Sequence, residues 1–129
     1  MTTHRLLFLN PVLKDPGQLQ TTVRKGEKWL GLDADQISVR RTGFEEIELA
    51  TGWIFQTETC LARFVPQRLL DLEHDENCRT PFGLGLALGR AYPDIVPDDV
   101  VTVVTFFLDG DDDDDDDDAL PGGAQGARS

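Results

Sequence analysis

Apolar and polar positions along the chain alternate or run together in a way that marks strands early, helices late and one strand at the end. Arg5 to Leu9 is a short apolar run stopped by Asn10-Pro11, which predicts a buried first strand. Pro16-Gly17 marks a turn, and Gln20 to Arg24 (QTTVR) is rich in β-branched residues, a second strand. Lys25 to Asp35 reads as a loop anchored by Trp29, Leu30 and Leu32. Gln36 to Arg41 alternates, with Ile37 and Val39 on one face, and predicts a half-buried strand that turns at Thr42-Gly43. Ile47 to Leu61 is long and extended, with Gly52 as a bend or bulge. Phe64 to Leu72 places Leu69, Leu70 and Leu72 after Pro66, a short helix starting near the proline. Thr80-Pro81 opens a second helix as an N-cap followed by proline at the first helical position. Leu84, Ala87, Leu88 and Ala91 share one face of that helix, Gly83, Gly85 and Gly89 weaken it, and Tyr92-Pro93 ends it. Val100 to Leu108 (VVTVVTFFL) is the most apolar and β-branched run and predicts a central strand. Strands, two short helices and a closing strand, without β-α-β alternation, predict an α+β fold: a mixed or antiparallel sheet closed as a small β-barrel.

Composition divides the chain at its last strand. Residues 1–108 can enclose one modest core, whereas 109–129 (DGDDDDDDDDALPGGAQGARS) has a single larger aliphatic residue, Leu120, and predicts a disordered, Asp-rich tail. The net charge of −12 is mostly tail: the first 108 residues hold 15 acids and 11 bases. A charge of that size neither requires nor excludes nucleic acid, so what matters is whether the bases cluster. Cys60 and Cys78 have no paired spacing and read as free thiols. The apolar run in MTTHRLLFLN is too short for a signal peptide or a membrane span, so the expectation is a cytoplasmic protein without a membrane partner.

Chemistry concentrates in three places. Gly17 to Trp29 gathers Arg24, Lys25 and Lys28 around a strand end, with the Thr21 and Thr22 hydroxyls and the backbone near Gly26, a set that could hold a phosphate. The alternative is a solvated hairpin end, and KGEK lacks the glycine spacing and the Lys-Ser/Thr ending of a P-loop. Glu73 to Arg79 (EHDENCR) sets carboxylates beside His74, a pairing able to act as base and orienter. Its plain reading is a helix connection in which Asp75 or Glu76 caps backbone N–H groups. One such cluster is too few for a zinc site, so no metal and no cofactor are expected. Arg40-Arg41 extends the basic character, and Trp29 or Trp53 could stack a base there or belong to the core. Gly83 to Gly89 (GLGLALG) does not follow a strand, as a dinucleotide-binding turn must.

The segment Gly17, Leu19, Thr22, Arg24 resembles the ASCH-domain pattern GxKxxExR, in the variant GxKxxTxR of small amidohydrolases acting on N4-acetylcytidine. Glycine, threonine and arginine match; Leu19 stands in place of the lysine. A histidine in an acidic stretch before a helix, the Tyr92-Pro93 ending and the VTVVTF strand agree in order, and the resemblance spans Arg5 to Phe107. It implies a PUA-like β-barrel with a cleft that binds RNA or nucleotides. For the amidohydrolase variant it implies Thr22 together with a glutamate near the histidine, for which Glu73, Asp75 and Glu76 are in range without aligning cleanly. Leucine cannot serve as nucleophile, base or cation; Lys14, Lys25 and Lys28 are the lysines near enough in sequence to stand in for it.

These readings give a module that binds RNA or a modified nucleoside, with Gly17, Thr22, Arg24, Lys25, Lys28, Trp29 and His74 at the ligand. The alternative is an amidohydrolase on an N4-acylated cytidine-type nucleoside, with Thr22, Glu73 and Glu76 as catalytic residues. A third reading is a protein-interaction scaffold. Oligomeric state leaves no mark in the sequence. Eight consecutive aspartates stay extended by mutual repulsion and solubilise the chain, compete for its own basic cleft or engage a basic partner. Competition predicts that truncation after Leu108 changes ligand affinity in low salt and not in high salt, measured by titration at two ionic strengths; no change at either leaves the solubilising role or a basic partner.

Overall fold

The computed structural model describes residues 3–9 and 11–110. Its strands are β1 (Thr3–Phe8), β2 (Gln20–Lys25), β3 (Gln36–Arg41), β4 (Ile47–Leu61) and β5 (Val100–Leu108), and its helices are α1 (Gln67–Leu70) and α2 (Pro81–Ala91). Single 3-10 turns cover Ala62–Phe64 and Glu76–Cys78. The strands form one mixed sheet in the order β1-β3-β4-β5-β2, with β1 parallel to β3 and the other pairs antiparallel. The fold is therefore α+β as expected, but the sheet is not closed by strand pairing. β1 and β2 are its two edges, and a side chain links them across the gap: Arg24 Nη1 on β2 donates to Leu7 O on β1 at 2.7 Å.

β5 explains the architecture. Val101 and Val103 point to one face, Val104, Phe106 and Leu108 to the other, and all are buried. The second face packs with Leu6, Phe8, Ile37, Val39 and Ile54 inside the curled sheet. The first packs with Val23, Leu69, Leu70, Leu84 and Leu88 under the helices. A strand covered on both sides has to be continuously apolar, and that is why it stood out in the sequence. In α2 the expected cap is present: Thr80 Oγ1 accepts from Gly83 N at 3.1 Å, with Pro81 next.

Two expectations change. Helix α1 covers only Gln67–Leu70, because Pro66 is its N-cap and residues 72–74 are drawn into strand-like pairing described below. Gly52 is not the bulge of β4. The register shifts lie between Ile54 and Gln56 opposite β5, and between Val39 and Arg40 on β3. What requires glycine at 52 is close approach, since a Cβ there would sit 2.2 Å from Phe107 O. Asp109, assigned by its sequence to the tail, is tied to β4: its N donates to Thr51 O at 2.9 Å, and its carboxylate accepts from the Thr51 hydroxyl and Trp53 Nε1. A cut intended to remove the tail alone therefore belongs after Gly110. The aspartate run itself lies outside the described residues. Among the described residues no helix is long and apolar enough to cross a membrane.

Replacing Gly52 by alanine is expected to destabilise the domain by about 1–3 kcal/mol, because backbone and not a flexible side chain must yield. Urea denaturation checks this, and an unchanged midpoint would mean that β4 and β5 shift at little cost.

Candidate functional site

Strand alternation turns Gln20, Thr22 and Arg24 to one face of β2, and Thr21 and Val23 to the other. The backbone of Thr21 faces the free edge, and that edge is not left bare. Thr21 N donates to Leu72 O (2.9 Å), His74 N donates to Thr21 O (3.2 Å), and the Thr21 hydroxyl donates to Leu69 O (2.8 Å). Thr21 and Glu73 form a parallel bridge. This short pairing covers an unprotected sheet edge. It also delivers Glu73 and His74 to the gap between β1 and β2.

The gap holds a cavity of about 260 Å³ lined by Phe8, Thr22, Arg24, Glu73, His74 and Tyr92, with Leu84 and Leu88 of α2 as its roof. Glu73 is buried, with Oε1 2.5 Å from His74 Nδ1. The same Nδ1 lies 3.0 Å from Thr21 O. Both partners of Nδ1 are acceptors, which fixes the proton there and leaves Nε2 as the second functional nitrogen of the ring. The Phe8 and His74 rings meet in a T-shaped pair with centroids 4.8 Å apart, and the Arg24 guanidinium lies 4.7 Å from the Phe8 centroid. Burial lowers the pKa of Arg24, opposed by Tyr92 and Glu73. Arginine still keeps its proton, so the cleft holds a fixed cation beside a buried carboxylate. Arg24 Nε and Gln20 Nε2 are buried with no hydrogen-bond partner among the described residues.

Lys14 is a participant that the sequence left among several lysines. Its Nζ lies 3.4 Å from Leu19 O. Burial and the nearby Arg79 lower its pKa, while Glu73 raises it. An ammonium thus stands at the backbone of Leu19, within the field of Glu73. Cys78 also lines the cleft, but burial and the charges of Glu73 and Asp75 push its thiol up to about 11, so it is not a thiolate near neutrality.

The structure separates the residues singled out by sequence. Thr22, Arg24, Glu73 and His74 meet in the cleft. Glu76 is exposed at the start of its 3-10 turn, while Asp75 takes the capping role, accepting from Asn77 N at 2.9 Å. Gly17 sits in a turn with φ +83°, and its N donates to Leu108 O. Lys25 is exposed, with Nζ 3.9 Å from Asp99. Lys28 and Trp29 line another cavity, of about 360 Å³, with His4 and Arg5. There Trp29 is 8% exposed, belongs to the core, and meets His4 edge-on at 6.0 Å. Phe8 and Tyr92, which wall the cleft, carry no sequence signal beyond an apolar strand position and a helix end.

The bases do not form a stripe. Arg5 and Arg40 pair with Glu46, Arg63 with Asp98, and Arg68 with Glu58. Exposed pairs of this kind add little stability, but they cancel the charge that a phosphate backbone would seek. Among the described residues no group of three His, Cys, Asp or Glu is placed to hold a metal ion.

No family model matches the chain, and no curated protein does. Among solved structures the chain is similar to the crystal structure of an ASCH domain from Lactobacillus crispatus JV V101, with a TM-score of 0.57 at 8% identity over 81% of this chain and 79% of that one. At that identity the likeness is one of fold, and the fold is ASCH-like.

Arg24→Met should cost about 1.5–3 kcal/mol, the range for a hydrogen bond made by a charged group, because Leu7 O loses its donor and the two sheet edges lose their bridge. Lys25→Met, one residue on and exposed, should stay within about 0.5 kcal/mol. Paired urea melts check the contrast; equal effects would deny Arg24 its bridging role.

Proposed function

We propose that this ASCH-like domain binds a heterocycle of nucleoside size in the cleft between β1, β2 and α2. The observation that carries the reading is convergence. The Arg24 cation, the Glu73–His74 pair and the Thr22 side chain meet beside the face of Phe8, in a cavity of about 260 Å³. A few polar groups set in an otherwise apolar pocket orient a small planar ligand. Arg24 donates to a carbonyl or ring nitrogen, Glu73 and His74 meet an amine or hydroxyl edge, and Phe8 supplies apolar contact. The paired surface cations favour one base over a length of backbone, whether that base belongs to a free nucleoside or to an unpaired position in RNA. A polar cleft at Arg24 weighs against a simple protein scaffold.

The amidohydrolase reading has one observation in its favour: Lys14 brings an ammonium to Leu19, where the resembled pattern has its lysine. Against it, no hydrogen bond among the described residues joins the Thr22 hydroxyl to a lysine or a carboxylate, and a threonine nucleophile needs an adjacent base.

Incubation with N4-acetylcytidine, following cytidine release, tests both readings, with calorimetric titration of cytidine and of a short single-stranded RNA alongside. Binding of cytidine that weakens about tenfold or more in Glu73→Gln supports the cleft, a loss in keeping with a buried charged hydrogen bond. Release that disappears in Thr22→Ala and Lys14→Met would favour the enzyme. RNA binding that survives Glu73→Gln and Arg24→Met would move the ligand elsewhere on the surface.

A further inference from the structure

Helix α2 stands between two cavities. On one side is the cleft with Arg24, Glu73 and His74. On the other is a mostly apolar cavity of about 340 Å³, bounded by Val65, Leu70, Ile95 and Pro97 and by Gly85 and Gly89 of the helix. Leu84 and Leu88 wall both, and they are the two buried residues of α2. The helix is thus held to the core by Leu84 and Leu88 and has an open groove on either side.

Its ends are held differently. At the first turn Thr80 caps Gly83 N, and a Cβ on Gly83 would sit 1.8 Å from Asn77 O, so the helix start lies directly against the chain before it. At the far end α2 stops at Tyr92, whose N closes on Leu88 O and whose side chain lines the cleft beside Arg24. Gly85 and Gly89 differ from Gly83, because a Cβ built on either meets nothing within 4 Å. Each costs the helix about 1 kcal/mol relative to alanine and gains no close contact in this conformation. Both are exposed, and what they leave is an open apolar groove on that side of the helix. In front of it, Arg24 Nε is buried and unpartnered among the described residues, and Tyr92 at the end of the helix stands beside the guanidinium.

We propose that α2 is the gate of the cleft. It pivots on its Thr80–Gly83 turn, and its C-terminal half swings off Arg24 into the apolar cavity behind it. Leu88 then moves from the layer over Val101 and Val103 toward the apolar wall of Val65, Leu70 and Ile95. Opening by a helix that slides between two packings is a small shear of the kind proteins use to admit ligands. The proposal rests on the reading of the cleft as the binding site, but its test does not need the ligand.

Cys78 lines the cleft under α2 and is buried, and Cys60 is the other cysteine of the chain. In the full chain carrying Cys60→Ser, the rate of Cys78 alkylation by N-ethylmaleimide reports opening. Gly89→Leu fills the space behind the helix; Gly89→Ala raises helix propensity by a similar amount and leaves most of that space open. The gate predicts labelling about tenfold slower in Gly89→Leu than in Gly89→Ala, as expected for suppression of a local opening. Equal rates in the two variants overturn it. Should Gly89→Leu fail to fold, Gly85→Leu against Gly85→Ala asks the same question. Stopped-flow association of cytidine separates the two ideas. Slower association in the leucine variant supports the gate on this site. Slower labelling with no cytidine binding in any variant keeps the gate and rejects the nucleoside reading. Normal labelling with normal association rejects the gate and keeps the site.

Discussion

β5 has no solvent face, and most of the molecule follows from that constraint. A strand apolar on both sides needs a layer over each. The curled sheet provides one through Leu6, Phe8, Ile37 and Ile54, and the helices provide the other through Leu69, Leu70, Leu84 and Leu88. β2, paired to β5 on one side, is left with a bare edge toward β1. Residues 72–74 cover part of that edge and Arg24 spans the rest, so the means of finishing the sheet are also the means of assembling the cleft. A full strand pairing between β1 and β2 would satisfy the same backbone groups and leave no gap for a ligand.

The charges in the cleft are tolerable because they come as a set. A buried Glu73 alone would carry a large desolvation cost. His74 Nδ1 lies 2.5 Å from that carboxylate, and Arg24 and Lys14 stand within its field. Arg24 in turn has Leu7 O and the face of Phe8. The set is incomplete at two donors, Arg24 Nε and Gln20 Nε2, both on the inward face of β2. Unsatisfied buried donors are uncommon in native proteins and collect where a structure awaits water, an ion or a ligand.

Local pattern revealed what local physics decides. The alternation at Ile37 and Val39, the unbroken run at β5 and the Thr80-Pro81 cap each became the element they predicted, and Leu84 and Leu88 are the buried side of α2. What stayed hidden depends on pairing at long range. Nothing in EHDENCR says that its first residue will lie beside Thr21, more than fifty positions earlier, and that pairing separates Glu73 from its exposed neighbour Glu76. Trp29 and Lys28 follow Arg24 closely in sequence, yet the turn at Gly26, with φ +85°, carries them to another cavity. Lys14 precedes Leu19 by five residues and folds back to its carbonyl, a contact that no spacing rule encodes. The gap between β1 and β2 is likewise a property of the assembled sheet, since both strands read as ordinary pairing partners.

The glycines of α2 bring stability and access into opposition. Substituting Gly85 or Gly89 with alanine lengthens the run of good helix formers and meets no steric barrier, so stability alone gives no reason for glycine at either place. Gly83 is different, because Asn77 O excludes any side chain there. Three glycines in one eleven-residue helix therefore divide into one demanded by packing and two demanded by nothing in the closed state. Sites that must open are drawn from the weakly held parts of a fold. α2 is the element that roofs the cleft, rests on two leucines and has an open apolar groove behind it, so the weak part and the site coincide.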